Sequence, residues 1–519
     1  MTELIAVVEI GSTGIRLTAF EVSDKTSWKV IDKSEKAVSL GYDVFTTGYV
    51  SRDTILQTLH ILNRFKEQLE GWGITEEKTL LIATSALREA KNRDTVVDRI
   101  FVKTNFRVKV IDGIEENRLM FIALLETLKS EISRLSQYNS LILEIGGGST
   151  EIMLMDHGKM IGVHSLRMGS VLIEQRLKSL FGTSSETYRF LEDFTKNTGE
   201  NLKTEIKLND IKVFITIGAE ARIAAQTVGK EVGARIWTIS KKDFNNFVDE
   251  VSQYSPEEIM HRFSLSYNDA KAFNVGLFTY NLFLNRTQAE EVIVTDTNIR
   301  EGMILSMISD SDAELKQSFL SQVIASARNL GKKYQYDEKH AKTVCKIALK
   351  IFDTMKDEIG LDSHGRQLLE IASLHHDIGM FIRGSDHEIH TQYIIFHSDI
   401  FGLTKDDMQI ISLVAKYHRG RQPYQSDSSF TALTRAERVI VLKLAAILRV
   451  ADALDRSHNQ NPLDISTKIT EDTLIFKVQG VQNINLEKIA LKEKGDLFES
   501  VFGYKLHLES NQNIKEDEK

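Results

Sequence analysis

Two stretches of the chain share one pattern, and that repetition restricts the fold more than any other feature. Residues 141–156 read LILEIGGGSTEIMLMD. An apolar run ends in Glu144, three glycines follow, then Ser149, Thr150 and Glu151, then a second apolar run. Residues 6–20 read AVVEIGSTGIRLTAF, with Glu9 in the place of Glu144 and Gly11, Ser12 and Thr13 at the tip. Each reads as two β-strands joined by a glycine turn. Without Cβ atoms, Gly146, Gly147 and Gly148 let backbone N–H groups approach an anion. Glu144 and Glu151 flank that turn and suit a cation or a water. Seven residues past each acid stand Arg16 and Glu151. The repeat predicts two similar lobes, each offering one phosphate-facing turn to a cleft.

The rest of the first 309 residues fits that plan. Residues 1–22 and 28–40 alternate like strands. Residues 52–70 place Ile55, Leu59, Leu62, Phe65 and Leu69 at helical spacing. Residues 79–84 form a short strand that opens into a helix start carrying Arg88. A helix start with an arginine suits an anion, although a lone arginine also suits a solvated face. Residues 106–112 are a strand, and Gly113 turns it into a helix expected to run from 114 to about 135. Glu115 and Glu116 lie in its first turn, where the helix dipole favours acids anyway and where a general base can also stand. Further strands are expected at 163–168, 213–218 and 292–296, with helices between. The pattern is α/β.

From about residue 310 to 454 the periodicity is helical, and histidines concentrate. His376 and Asp377 are adjacent, His340 lies on an earlier helix and Asp452 on a later one. That order suits chelation of one divalent ion, and equally a polar network that pins helices together. Residues 464–469, 474–478 and 504–508 alternate again, giving a small β-rich C-terminal unit with a fraying tail. The expected organisation is lobe I at 1–125, lobe II at 126–309, a helical domain at 310–460 and a C-terminal α+β unit at 461–519.

Composition removes several classes of function. With 519 residues, several domains are expected. The net charge of −8 argues against a general nucleic-acid binder. No apolar run approaches the roughly 18 residues of a membrane span, and no signal peptide is expected. The one cysteine, Cys345, excludes an intrachain disulfide and fits a cytoplasmic location.

The motifs EIGSTGIRL, ATSALREA, VIDGIEENRL, EIGGGSTEI and DTNIREG occur in the order and spacing of one family. The chain resembles the exopolyphosphatase / guanosine-pentaphosphate phosphohydrolase (Ppx/GppA) family across residues 5–305. The helical segment, with LHHDIG, VAKYHRG and LRVADALDRSH, resembles an HD-type domain carried by longer members. The resemblance implies two actin-like (RNase H-like) lobes, with polyphosphate or a phosphorylated guanosine nucleotide in the cleft. It implies hydrolysis of a terminal phosphoanhydride with Mg²⁺, or Mn²⁺ in its place, in a homodimer. By position, Glu116 matches the catalytic base, Arg88 a phosphate-gripping arginine, and Gly147, Gly148 and Ser149 the phosphate turn. Glu151 matches an acid assisting water or metal, and Glu9 and Glu144 match metal-site aspartates. The departures are these two glutamates, Thr13 for asparagine, Glu220 in a glycine-rich turn, and Asp269 for an arginine. They leave a second reading open, a weakly active sensor that binds a phosphorylated nucleotide.

Overall fold

The computed structural model describes residues 2–23, 27–180, 184–309, 313–423, 426–458, 464–479 and 484–511. The chain forms two compact units, Met1–Ala325 and Ser326–Lys519. The boundaries expected near 310 and 461, and the tail beyond 511, lie outside the described residues.

The first unit contains two sheets built to one plan. In the first, β1 (Thr2–Ile10) and β2 (Gly14–Ser23) form an antiparallel hairpin, and β3 (Ser27–Ala37) extends it at the edge. On the other side β1 pairs in parallel with β4 (Thr79–Ala83), and β4 with β5 (Val108–Val110). The order is β3-β2-β1-β4-β5. The second sheet repeats it: β6 (Ser140–Ile145), β7 (Thr150–Asp156) and β8 (Lys159–Leu166) form the antiparallel half. The parallel half is β9 (Val213–Ile217) and β12 (Glu291–Thr295), beyond which lie β11 (Ile236–Ser240) and β10 (Lys230–Gly233). The repeated sequence unit is therefore the hairpin at the centre of each sheet.

Helices cover these sheets because their apolar faces have the right period. Helix Arg52–Gly71 starts at Ser51, whose side chain accepts from the N–H of Thr54. It buries Ile55, Leu59, Leu62, Phe65 and Leu69, each of which stabilises by about 1.5–3 kcal/mol relative to exposure. Over the second sheet, helix Tyr267–Asn285 sends Phe273, Leu277, Tyr280 and Phe283 into the core that holds Leu143, Phe214 and Val294.

The helix expected to run to about residue 135 stops earlier. Helix Gly113–Thr127 ends at Leu128, a turn over Lys129–Glu131 follows, and Ile132–Gln137 is a separate short helix. The chain must turn there to enter β6, and helical periodicity does not register a change of axis.

In the second unit, helices Glu338–Thr354, Ser363–His375, His387–Phe396, Lys405–Lys416 and Arg435–Ala453 surround an apolar interior that includes Ile351, Leu369, Val414 and Ile447. A three-stranded sheet of β13 (Asp464–Ile469), β14 (Thr473–Gln479) and β15 (Lys505–Asn511) accompanies them.

Candidate active site

The two central hairpins present their acids in the same register. Glu9 lies opposite Arg16 across β1 and β2, and Glu144 lies opposite Glu151 across β6 and β7. Both turns close alike: Gly11 N–H donates to Gly14 O and Gly146 N–H to Ser149 O, each at 2.9 Å. The tips meet. A Cβ on Gly147 would fall 2.8 Å from Ser12 Cβ, and one on Gly148 would fall 2.6 Å from Ser85 Oγ. None of Gly146, Gly147 and Gly148 has a positive φ. Glycine is needed at 147 and 148 for close approach rather than for an unusual backbone. Ser12 Oγ and Ser85 Oγ lie 3.2 Å apart beside this contact.

The adjacent acids Glu115 and Glu116 have separate tasks. Asp112 caps helix Gly113–Thr127 by accepting from the N–H of Glu115. The Glu115 carboxylate takes two bonds from Arg118, at 2.6 and 2.9 Å. Glu116 instead accepts from Arg88 Nη1 at 2.9 Å, and the same nitrogen donates to Ile111 O at 2.7 Å. Arg88 therefore ties the acid to the end of the neighbouring strand. Burial pushes the Glu116 carboxyl up to about 7, with Arg88 opposing the rise and Glu9 and Asp112 adding to it.

Glu151 is held from both sides. Asn117 Nδ2 donates to Oε2 and Ser165 Oγ to Oε1, each at 2.7 Å. Burial, then the charge of Glu116, raises its carboxyl to about 8. Glu144 is raised well above its ordinary value by burial and by Glu116, Glu151 and Glu9. Glu9 is engaged by arginine: Arg300 Nη1 donates to its Oε2, and Arg16 Nη1 lies 3.6 Å from Oε1.

Four carboxylates thus share one polar region, and Glu116, Glu144 and Glu151 hold their protons tightly because they are buried, with like charges nearby adding to the effect. An oxygen-only, negatively charged set is the chemistry a hard divalent cation satisfies. Among the described residues it is not a ready-made three-carboxylate cage. One or two carboxylates with phosphate oxygens completing the shell is the arrangement that fits.

Sequence reasoning missed Arg300, Asn117 and Ser165. Arg300 lies in DTNIREG, but its partner is 291 positions away. Asn117 and Ser165 carried no signal beyond their nearness to motifs. The departures also have places. Thr13 and Asp269 line a cavity of about 320 Å³ with Tyr42, Gln57 and Asn268. Glu220 begins helix Ala219–Val228 within 3.4 Å of Ser170 Oγ, and burial raises its carboxyl to about 7.

In the second unit, His340, His376, Asp377 and Asp452 come together. His340 Nε2 lies 3.7 Å from Asp377 Oδ2 and 3.6 Å from Asp452 Oδ1, and His376 Nε2 lies 3.6 Å from Asp377 Oδ2. Lys494, from helix Asn485–Lys494 near the C-terminus, donates to the other oxygen of Asp452.

Known proteins resemble this chain over most of its length. Residues 20–311 match the Ppx/GppA phosphatase family, and residues 324–498 match Ppx/GppA phosphatase, domain III. A guanosine-5'-triphosphate,3'-diphosphate pyrophosphatase of Photobacterium profundum is 24% identical over 482 residues, 92% of either chain. Its counterpart in Pseudoalteromonas atlantica is 23% identical over 454 residues, 86% of either chain. The crystal structure of an exopolyphosphatase from Cytophaga hutchinsonii superposes with a TM-score of 0.52 at 19% identity. It covers 60% of this chain and 98% of that one, a likeness of fold. The chain belongs to the Ppx/GppA phosphatase family.

Proposed function

We propose that this protein hydrolyses the terminal phosphoanhydride of inorganic polyphosphate or of a guanosine penta- or tetraphosphate, with Glu116 as the general base. The observation that carries the reading is the Arg88–Glu116 pair at 2.9 Å beside Glu144 and Glu151. A carboxyl at about 7 exchanges a proton with water near neutral pH, where a general base works best. Glu151, fixed by Asn117 and Ser165, orients the attacking water. Ser12, Thr13, Gly147, Gly148 and Ser149 supply N–H and hydroxyl donors to the phosphates, and Gly11 closes the turn that presents Ser12 and Thr13. Arg88 places positive charge where charge develops on the transferring group. Family members depend on a divalent metal, and here Glu144 would hold Mg²⁺ or Mn²⁺; Glu9, matched to the same metal site by the resemblance, would have to give up Arg300 and Arg16 to join it. Such an ion neutralises phosphate oxygens and polarises phosphorus.

We assign these groups to lobes at 1–125 and 126–309, with a helical domain at 310–460 and a C-terminal unit at 461–519. No described helix is long and apolar enough to cross a membrane. The reading extends to a cytoplasmic homodimer, checked by light scattering of the purified protein. A second reading, a slow sensor of a phosphorylated nucleotide, draws support from Glu9, which two arginines already engage, and from Glu220 and Asp269 beside the turns.

The test is phosphate release from long polyphosphate and from guanosine pentaphosphate, with Mg²⁺ and then Mn²⁺, for the wild type and Glu116→Ala. Loss of the base should cost about 10²–10⁴-fold in turnover. An unchanged rate in the variant would remove Glu116 from its role. No release from either substrate would favour the sensor.

A further inference from the structure

The two sheets part differently behind their turns. Between β1 and β4 the register runs on through Ile10 and Ala83, and Thr84 N–H then donates to Ile10 O at 3.2 Å. Between β6 and β9 it ends one residue sooner, at Glu144 and Ile217. Ile145, the counterpart of Ile10, has no register partner on β9 among the described residues. Gly146 N–H donates to Ser149 O inside the hairpin. Backbone directions alternate along a strand, so the N–H of Ile145 points the other way, toward β9.

A side chain supplies the link there. Tyr280 Oη accepts from Ile145 N–H at 3.0 Å and donates to Ile217 O at 2.5 Å. Tyr280 lies within helix Tyr267–Asn285, and it, Ile145 and Ile217 are all buried. Burial, with Glu220 and Glu144 adding, holds the hydroxyl well above its ordinary pKa, so its proton stays in place. Gly218, the next residue along the departing strand, makes room. Its φ is +138°, and a Cβ there would fall 2.6 Å from Tyr280 Oη. Glycine is required twice at that point, by the backbone and by the space.

A buried tyrosine usually finds a partner for its hydroxyl, and core packing alone accounts for most of them. The partners here are set apart by where they lie. Ile145 stands between Glu144 and Gly146, at the root of the second turn. From the other side Ser170 N–H donates to Gly146 O at 2.9 Å and Leu172 N–H to Gly147 O at 3.0 Å. The turn is therefore pinned from two directions, and toward β9 the pin is one hydroxyl. In the first sheet the ladder itself runs on past Glu9.

We infer that Tyr280 is a positioning residue for the hydrolysis proposed above. Its hydroxyl fixes the backbone on which Glu144 and the turn Gly146–Ser149 stand, and so how well the site holds a divalent ion and phosphate. The inference rests on that function, and Tyr280 acts through the backbone rather than on the substrate.

Tyr280→Phe removes one oxygen atom and keeps the ring. Phosphate release from long polyphosphate is followed in the full chain against Mg²⁺ concentration. The concentration for half-maximal rate should rise by about 10–100-fold in the variant. Phe283→Leu thins the same core from the same helix and should keep the wild-type value. Lost stability changes how much enzyme is folded, not the Mg²⁺ it needs, so an unchanged value in Tyr280→Phe overturns the inference. Should that variant fail to fold, Gly218→Ala, which crowds the hydroxyl, decides by the same criterion. Amide hydrogen exchange reads the link without turnover. Segment 141–149 should exchange about tenfold faster in Tyr280→Phe, and segment 6–13, at the first turn, at the wild-type rate. If the wild type releases no phosphate from polyphosphate or guanosine pentaphosphate, the hydrolase reading fails and exchange alone judges Tyr280. Equal exchange of segment 141–149 in wild type and variant overturns its positioning role.

Discussion

Glu9 and Glu144 occupy equivalent places at the ends of β1 and β6, and only Glu9 is neutralised by arginine. Its cross-strand neighbour is Arg16, and Arg300 binds it directly. Glu144 faces Glu151 across the hairpin and feels Glu116 besides. One backbone unit thus supports two electrostatic outcomes, set by the residue seven positions downstream. The first turn is a completed ion-pair network; the second is an acid cluster that stores protons in the absence of a cation. In the proposed function the chemistry therefore belongs to the second turn, where negative charge would remain to hold a cation or a water.

Making the second turn like the first should have the largest effect. Glu151→Arg would neutralise Glu144 and remove the acid that Asn117 and Ser165 hold. Turnover should fall by at least about 10²-fold, read as phosphate release. A rate near wild type would show that the acid-on-acid register is irrelevant to turnover.

Removing either acid should separate the turns by stability. Glu9→Gln leaves Arg300 and Arg16 without their shared carboxylate and should cost about 1–3 kcal/mol in denaturant unfolding. Glu144→Gln replaces a carboxyl whose ionised form burial and Glu116 already disfavour with a neutral amide of similar size. It should cost less. Equal losses at pH 8 would contradict the difference between the turns.

The smallest effect is on pH dependence. Glu116 and Glu151 rise from an ordinary value of 4.5 to about 7 and about 8. The folded state therefore binds these protons more tightly than the unfolded chain. The stability they contribute is complete below about pH 4.5 and is lost as pH rises through 7 to 8. The midpoint of thermal unfolding should fall over that window, and Mg²⁺ should restore more of it at pH 8 than at pH 5. A flat profile would mean that the acids are not crowded in solution.

Much of the site was legible in the linear text because its parts are local. A strand, an acid, a glycine turn and a strand occupy one short window, and the hairpin fixes the register of acid against downstream residue. The choice between Glu115 and Glu116 came from the family resemblance alone and was not legible in the local pattern. Successive helical side chains point about 100° apart, so only the helix's rotation decides which acid meets Arg118 and which meets Arg88. In the helical unit, His340, His376, Asp377 and Asp452 stood out by residue type and order.

The sequence by itself determined the repeated α/β plan, the glycine turns and the family, since each follows from periodicity or from residues adjacent in the chain. Only the tertiary structure decided that Arg300 neutralises Glu9, that Asn117 and Ser165 hold Glu151, and that Tyr280 links Ile145 to Ile217. The physical reason is common to all three. Charge state and ligation depend on distances of a few ångströms between side chains far apart in the chain, which packing alone determines.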